Sequence, residues 1–468
     1  MHPSLSLSVS PRHAVVCGSS LAGLLTAGLL ARHFERVTLV ERDGLVDSSQ
    51  PRKGVPQSTQ SHVLLKRGLD IAATLFPGLL EDLQAAGTQV MDMSADCAWH
   101  VAGVWRKRIQ SGVSLYSQTR PLFEWRVRSM LAALPNVRIL DRHEARGFLY
   151  DAEGTRVTGL KVRALGGLEE TRLEAELVVD AGGRGSRTPQ WLEERGYPRV
   201  EETRFRIDVG YATRVYRKPA GFDAGWKSMI LSAELPRIRR FGCLFPVEGD
   251  RWTVTLSGWL KDYPPSDEAG FLAYARSLAQ PHLYEALKNA EPLGPISTYR
   301  FSHSQWRHYE RLPRIPEGLV VVGDAFCSFN PVYGQGITTG ALLVEALGEC
   351  LRKGLGGLSR RYFERAGRLL KMPWAMSTTE DLRLSELDET RPLGSSFLYG
   401  YGEKLQQLTA TDDEAVRTFM QVMHMLKPPR ALFSPRLFWK VLTEQPGVSE
   451  QSSGPEPLSV HIPHPKAA

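Results

Sequence analysis

Cysteine is scarce in this 468-residue chain: five residues, Cys17, Cys97, Cys243, Cys327 and Cys350, an odd number with no Cys-x-x-Cys pair. That excludes a disulfide framework and a paired-cysteine zinc site, and it points to a reducing, cytoplasmic setting. Residues Met1 to Ser10 lack a charged segment leading into a long apolar core, so no secretory signal is expected there. Long hydrophobic runs are missing too. The most apolar stretch, Ala14 to Ala31, is interrupted by Gly18, Ser19, Ser20 and Gly23 and ends on Arg32-His33. It reads as a strand followed by a helix and not as a membrane span. Charge of one sign is also in short supply. Lys+Arg 58 against Asp+Glu 51 leaves +7, scattered in short pieces such as Arg106-Lys107-Arg108 and Arg360-Arg361. No basic stripe with interleaved aromatics forms, which argues against a nucleic-acid partner. The mild excess favours acidic cofactors or anionic membrane faces. What remains, 42% hydrophobic and 23% charged residues, is globular, with length for roughly three units of ~150 residues.

The first chemistry-bearing pattern lies at the N-terminus. His13 to Cys17 (HAVVC) reads as a short strand, Gly18-Ser19-Ser20-Leu21-Ala22-Gly23 as a turn, and Leu24 to His33 as a helix. A second strand, Arg36 to Val40, ends in Glu41 and Arg42, with Glu41 placed 41 − 18 = 23 residues after Gly18. This is a dinucleotide-binding βαβ unit. Small residues let backbone close on a pyrophosphate, the helix N-terminus favours its charge, and a carboxylate at the second strand's end takes a ribose diol. Gly18, Ser20, Leu21, Ala22, Gly23, Glu41 and Arg42 are therefore candidate cofactor residues. Ser20 stands where a second glycine is usual, which makes the closest approach less free.

Further along, Asp47 to Ser61 is a polar segment holding Arg52, Gly54, Pro56 and Gln57, followed by a helix-like stretch from His62 to Phe76. A strand from Glu174 to Val179 runs into Asp180-Ala181-Gly182-Gly183-Arg184-Gly185-Ser186-Arg187. From Thr203 to Leu260 the pattern becomes alternating strands rich in aromatics, as expected of a second sheet. Val320 to Val322 is a buried-type strand ending in Gly323-Asp324, and Pro331, Gly334, Gln335 and Gly336 precede a helix from about Ile337 to Leu351. The rest to Leu442 reads as helices. From Glu444 onward Pro, Ser, Gly and Gln predominate, the composition of a disordered tail.

Three motifs stand in one order: GSSLAG with Glu41, DAGGRGSR at 180–187, and GDAFCSFNPVYGQG at 323–336. Together they resemble the single-component, group A FAD-dependent monooxygenases, the class of aromatic hydroxylases and squalene epoxidase. With RKGVPQ at 52–57 the likeness is greatest to the epoxidases of polyether and polyene biosynthesis. The resemblance implies an α/β fold: a Rossmann-like FAD-binding domain of the aromatic hydroxylase type from 11–200 and 295–375, an inserted mixed-sheet substrate domain at 201–294, a helical part at 376–443, and a tail at 444–468. It implies that Gly323 and Asp324 meet the ribityl and pyrophosphate part of FAD. Pro331, Gly334, Gly336 and Ile337 would lie beside the isoalloxazine ring. Arg52 and Arg120 would sit near the cofactor, each also readable as a surface arginine. Asp180 would contact cofactor, or cap its own turn. Arg187 is a candidate for a nicotinamide cofactor's phosphate. Ala181, where the family has glycine, is a departure.

The implied activity is insertion of one oxygen atom of O2, through a flavin C4a-hydroperoxide, into an apolar polyene, prenylated or aromatic secondary metabolite. Electrons would come from NADPH or NADH, directly or through a partner reductase. The cofactor carries that chemistry, so no nucleophile or metal is required and no catalytic side chain is assigned. As a base, His62 in the Ser61-His62 stretch is an unpersuasive candidate, and His303 and His308, near Trp306, read as packed or solvated histidines. A flavin halogenase is less well matched, because Trp-x-Trp-x-Ile-Pro is absent. A reductase of isoprenoid double bonds finds only a faint echo in FGCLFP at 241–246, an oxidase or dehydrogenase remains open, and a non-enzymatic prenyl carrier has no reason to keep Glu41 and Asp324. The stretch 419–442, with Lys427, Arg430, Arg436 and Lys440 among apolar residues, fits either peripheral contact with a membrane or a packed helix pair.

Overall fold

The computed structural model describes residues 12–384 and 394–444. The tail read as disordered lies, from residue 445 on, outside the described residues. Five strands make an all-parallel sheet in the order Leu319–Val321, Leu177–Asp180, His13–Cys17, Arg36–Val40, Val137–Leu140. Their continuous Val/Leu runs are what a sheet covered on both faces demands. The helix Leu21–Leu30 is buried along all but one of its ten residues, which explains why its sequence has no polar face. It packs against the helix Gly336–Leu351, which begins one residue before Ile337.

Two features differ from the expectation. The strand read at Glu174 to Val179 is two strands: Glu170–Glu174 closes a three-stranded antiparallel sheet, and Leu177–Asp180 enters the parallel one. The break falls at Ala175-Glu176, where the Glu176 N–H donates to the His13 carbonyl at 2.9 Å and starts the new pairing. The helix read from His62 begins only at Lys66; residues 61–65 belong to no helix or strand, and the Ser61 N–H donates to Thr255 Oγ1 of the second sheet at 3.1 Å.

That second sheet has eight strands: Cys327–Ser328, Ser297–Arg307, Glu202–Arg217, Arg251–Gly258, Arg240–Val247, Ser228–Leu231, Cys97–Val101 and Val104–Trp105. Four of these lie within 201–294, and the other four come from before and after it. Alternation divides its faces. Leu244, Val254 and Leu256 pack against the helices Glu268–Arg276 and His282–Leu287. Ile230, Cys243 and Phe245 point the opposite way, into a cavity. The helices Leu358–Asp381, Ser395–Leu408, Asp413–Met423 and Pro435–Thr443 follow among the described residues.

Candidate functional site

The cavity, about 1180 Å³, begins where the parallel strands end. Open α/β sheets place ligands there, beyond the carboxyl ends of their strands. Gly18 follows His13–Cys17, Glu41 follows Arg36–Val40, Asp180 ends its strand, and Gly323-Asp324 lie just past Leu319–Val321. Of the residues selected from sequence, Gly18, Ser20, Leu21, Ala22, Glu41, Arg42, Arg120, Asp180, Gly323, Asp324, Pro331, Gly334, Gly336 and Ile337 line the cavity, as does Arg187. Gly23 and Arg52 do not.

Gly23 serves packing. A Cβ there would sit 1.8 Å from the Gly18 carbonyl oxygen, so the helix can approach the turn only over a glycine. Gly18 has φ +103°, and an added Cβ would meet the Ala181 carbonyl oxygen at 2.5 Å. Ser20, where a glycine is usual, takes the N-cap position in extended backbone, and its hydroxyl makes no capping bond.

Arg52 lies behind the turn. Its Nε donates to Glu124 Oε1 at 2.8 Å and its Nη2 donates to the Ser19 carbonyl at 3.1 Å. Its Nη1 stands 3.3 Å from Glu41 and 3.6 Å from Asp43. Glu41 also accepts the Ser19 N–H at 2.8 Å, the Ser19 hydroxyl at 2.7 Å and the Asp43 N–H at 2.8 Å. Burial by itself would raise the Glu41 pKa, but these donors and the Arg52 cation hold it below the usual carboxylate value. Glu41 is therefore a fixed anion at the cavity wall. Glu124 was not singled out from sequence, although its place four residues after Arg120 on one helix was a usable sign.

Arg120 opens the helix Arg120–Ala132, capped by Thr119. Its Nη1 donates to His62 Nε2 at 3.1 Å, and His62 Nδ1 donates to the Gln60 carbonyl at 2.8 Å. Burial, with Arg120 adding to it, pushes the His62 pKa down to about 3, so the ring is neutral. This histidine lines the cavity, a position the sequence reading did not assign it.

Asp180 is occupied by its own loop: it accepts from the Gly182 N–H at 2.8 Å, from Thr188 Oγ1 at 2.6 Å and from the Ser186 hydroxyl. Of the two roles open from sequence, the capping one is the geometry present. Asp324 differs, since no protein group among the described residues donates to its carboxylate. Burial raises its pKa against the pull of Arg120 and Arg184. The side chain is thus an acceptor held at the cavity wall without a partner of its own.

Beyond Pro331 the same volume continues between the eight-stranded sheet and the C-terminal helices, walled by Trp99, Phe241, Phe245, Trp259, Phe301 and Met376 among others. Phe419, Val422 and Met423 of the helix Asp413–Met423 also line it, so that this part of the 419–442 stretch turns inward. Leu426, Phe433, Trp439 and Leu442 stay exposed, with Trp439 at 68%. Arg436 and Lys440 pair with Glu414 and Asp412. No helix among the described residues is long and apolar enough to cross a membrane.

A cavity larger than the ~300–1,000 Å³ of usual small-molecule sites has room for an elongated cofactor together with a second molecule. Residues 12–361 match the family model described as FAD binding domain. The Mycobacterium tuberculosis protein Rv3254 is 35% identical over 349 residues, 73% of this chain and 73% of that protein. Among solved structures, a triple mutant of the flavin-dependent brominase Bmp2 superposes with TM-score 0.65 at 15% identity, covering 91% of this chain and 97% of that one. The p-nitrophenol 4-monooxygenase PnpA of Pseudomonas putida gives TM-score 0.62 at 17% identity, covering 89% and 98%. At such identities these two structures share the fold with this chain and nothing finer.

Proposed function

The chain belongs to the FAD binding domain family, and we propose that it is an FAD-dependent monooxygenase placing one oxygen atom of O2 on an apolar, unsaturated secondary metabolite, by epoxidation or hydroxylation. The observation that carries this reading is one continuous cavity joining the glycine turn and Asp324 to a wall of aromatic and Met side chains. Glu41 would hold the adenosine ribose, and the N–H groups of Ser20, Leu21 and Ala22 at the helix start would take the pyrophosphate. Asp324, an acceptor without a protein donor, suits the ribityl hydroxyls. Backbone at Gly334 and Gly336, with the positive end of the helix Gly336–Leu351, would face the pyrimidine edge of the ring. Bound FAD supplies the electron transfer and the activation of oxygen.

The chain's own part is to exclude water and aim the substrate. Trp99, Phe241, Phe245 and Trp259 present apolar surface to it, and the inward face of Asp413–Met423 covers it. His62, its neutral ring held by the Arg120 guanidinium, would supply a fixed polar contact. The test is turnover of the FAD-loaded protein under oxygen-18 gas with NADPH or NADH, against a panel of polyenes, prenylated aromatics and phenols. The expected product is heavier by one labelled oxygen. Hydrogenated product formed without oxygen uptake, or dehydrogenated product with the oxygen consumed released as peroxide, would replace this reading with a reductase or a dehydrogenase. Incorporation of added bromide or chloride would replace it with a halogenase.

We also propose peripheral contact with anionic membrane through the segment 426–442, where Leu426, Phe433, Trp439 and Leu442 are exposed near Lys427 and Arg430. The protein should float with vesicles containing anionic lipid. Exchange of Trp439 and Phe433 for serine should release it, and equal flotation of that variant would refute the contact.

A further inference from the structure

We propose that Asp381 is the positioning residue that holds the flavin-facing loop Asn330–Gly336 in register with the substrate wall. The inference rests on FAD occupying the cavity, as the family requires.

Asp381 is the last residue of the helix Leu358–Asp381, whose Met372, Met376 and Thr379 line the cavity. Its side chain is fully buried. One carboxylate oxygen, Oδ1, receives three hydrogen bonds from two other parts of the fold. Trp259 Nε1, beside the strand Arg251–Gly258, donates at 2.9 Å, Asn330 Nδ2 at 3.0 Å and the Tyr333 hydroxyl at 2.9 Å. The loop is gripped a second time from the sheet. Tyr211 donates its hydroxyl proton to Asn330 Oδ1 at 2.7 Å and accepts the Val332 N–H at 3.1 Å. Trp259, Tyr333, Pro331 and Val332 all face the cavity. A single atom thus ties the helix wall, the substrate sheet and the loop together.

This arrangement is costly to keep. The second oxygen, Oδ2, is buried without a partner among the described residues. Burial, opposed by the three donors, pushes the Asp381 pKa up to about 7. Filling space would not call for an acid. An acceptor that takes three donors at once, two of them from side chains that line the cavity and the third from the loop between them, serves to set the loop's position.

The experiment uses the full chain and measures two properties of the FAD complex: its Kd from flavin fluorescence, and the visible circular dichroism of the bound flavin, which reports the ring's surroundings. Asp381→Ala should weaken FAD binding about ten-fold or more, the scale of one or two lost buried hydrogen bonds, and change the dichroism. Asp381→Asn, whose side-chain oxygen can accept the same three donors, should restore both to within about three-fold. Ser377→Ala, one turn earlier and with no partner on the loop, should match the wild type. If Asp381→Ala does not fold, Tyr333→Phe takes its place and should alter the dichroism by deleting one of the three bonds. Wild-type Kd and dichroism in Asp381→Ala, or in Tyr333→Phe, would overturn the proposal, as would failure of Asp381→Asn to restore them. A wild-type protein that takes up no FAD would instead strike at the family reading on which the proposal stands.

Discussion

Gly18→Ala purifies without FAD. The added methyl falls 2.5 Å from the Ala181 carbonyl oxygen and 2.8 Å from its carbon, both backbone atoms of the adjacent strand's exit, so no side chain can swing aside. The conformation opposes it as well, since φ +103° costs an L-residue about 1–2 kcal/mol before any overlap is counted. Relief would have to come from parting the two strand ends, which the Ala181 N–H to Cys17 carbonyl bond at 2.8 Å holds together. That movement displaces the turn whose N–H groups are to meet the pyrophosphate. The expected result is at least a hundred-fold loss of FAD affinity and about 2–4 kcal/mol of stability. Flavin-to-protein ratio after gel filtration and a thermal melt measure both. Gly356→Ala, where an added Cβ meets nothing within 4 Å, is the control and should behave as wild type. Retention of stoichiometric FAD by the Gly18 variant would show that the turn is not where the cofactor binds.

Arg52→Met has the second largest effect, and it acts from behind the site. The substitution keeps most of the side chain's bulk but leaves Glu41, Asp43 and Glu124 facing one another with at most 12% of any of the three side chains exposed. Removing one partner from a buried ion network costs about 3–5 kcal/mol, because the remaining charges stay desolvated. FAD affinity should fall with it, as Glu41 loses its orientation. The pH dependence follows from the sign of the shift. In the wild type Glu41 has a folded pKa below its unfolded value of about 4.3. Its contribution is therefore complete above that value and is lost as pH falls through the depressed folded one. Without Arg52 the burial that raises the pKa gains weight, so protonation begins at higher pH and the acid unfolding midpoint moves up. Circular dichroism along an acid titration checks this. Coincident acid midpoints and melting temperatures for wild type and variant would dispose of the network's role.

Much of the cofactor half was legible in the chain because its signals are local. A strand, a tight turn and a helix must follow one another within a few residues to bind a pyrophosphate, and the second strand's end brings Glu41 back to that turn. The same holds for Asp324 and the Pro331–Gly336 loop, which lie on one short connection between strand and helix. Gly23 shows the limit of such reading. Its place in the motif is evident, but that it lets the helix touch the Gly18 carbonyl, and does not line the cavity, emerges only from packing.

What the order of residues could not convey is pairing across distance. Arg52 was selected for its loop, yet its partner Glu124 is 72 residues away and carries no periodic mark beyond its spacing from Arg120. Asp180 offered two roles, and the capping bonds from residues 182–188 come from how the loop folds back on the strand end. The aromatic strands announced a sheet, but half of its strands come from outside 201–294, because a sheet edge pairs with whatever strand the fold delivers to it. Asp381 reads as an ordinary acid near the end of a polar helix, and only the meeting of helix, loop and sheet makes it the common acceptor of Trp259, Asn330 and Tyr333. The strand–turn–helix order around Gly18 depends on neighbours in sequence, so the chain alone determined it. Burial, ion pairing and cavity walls depend on neighbours in space, and those were settled by how the layers pack.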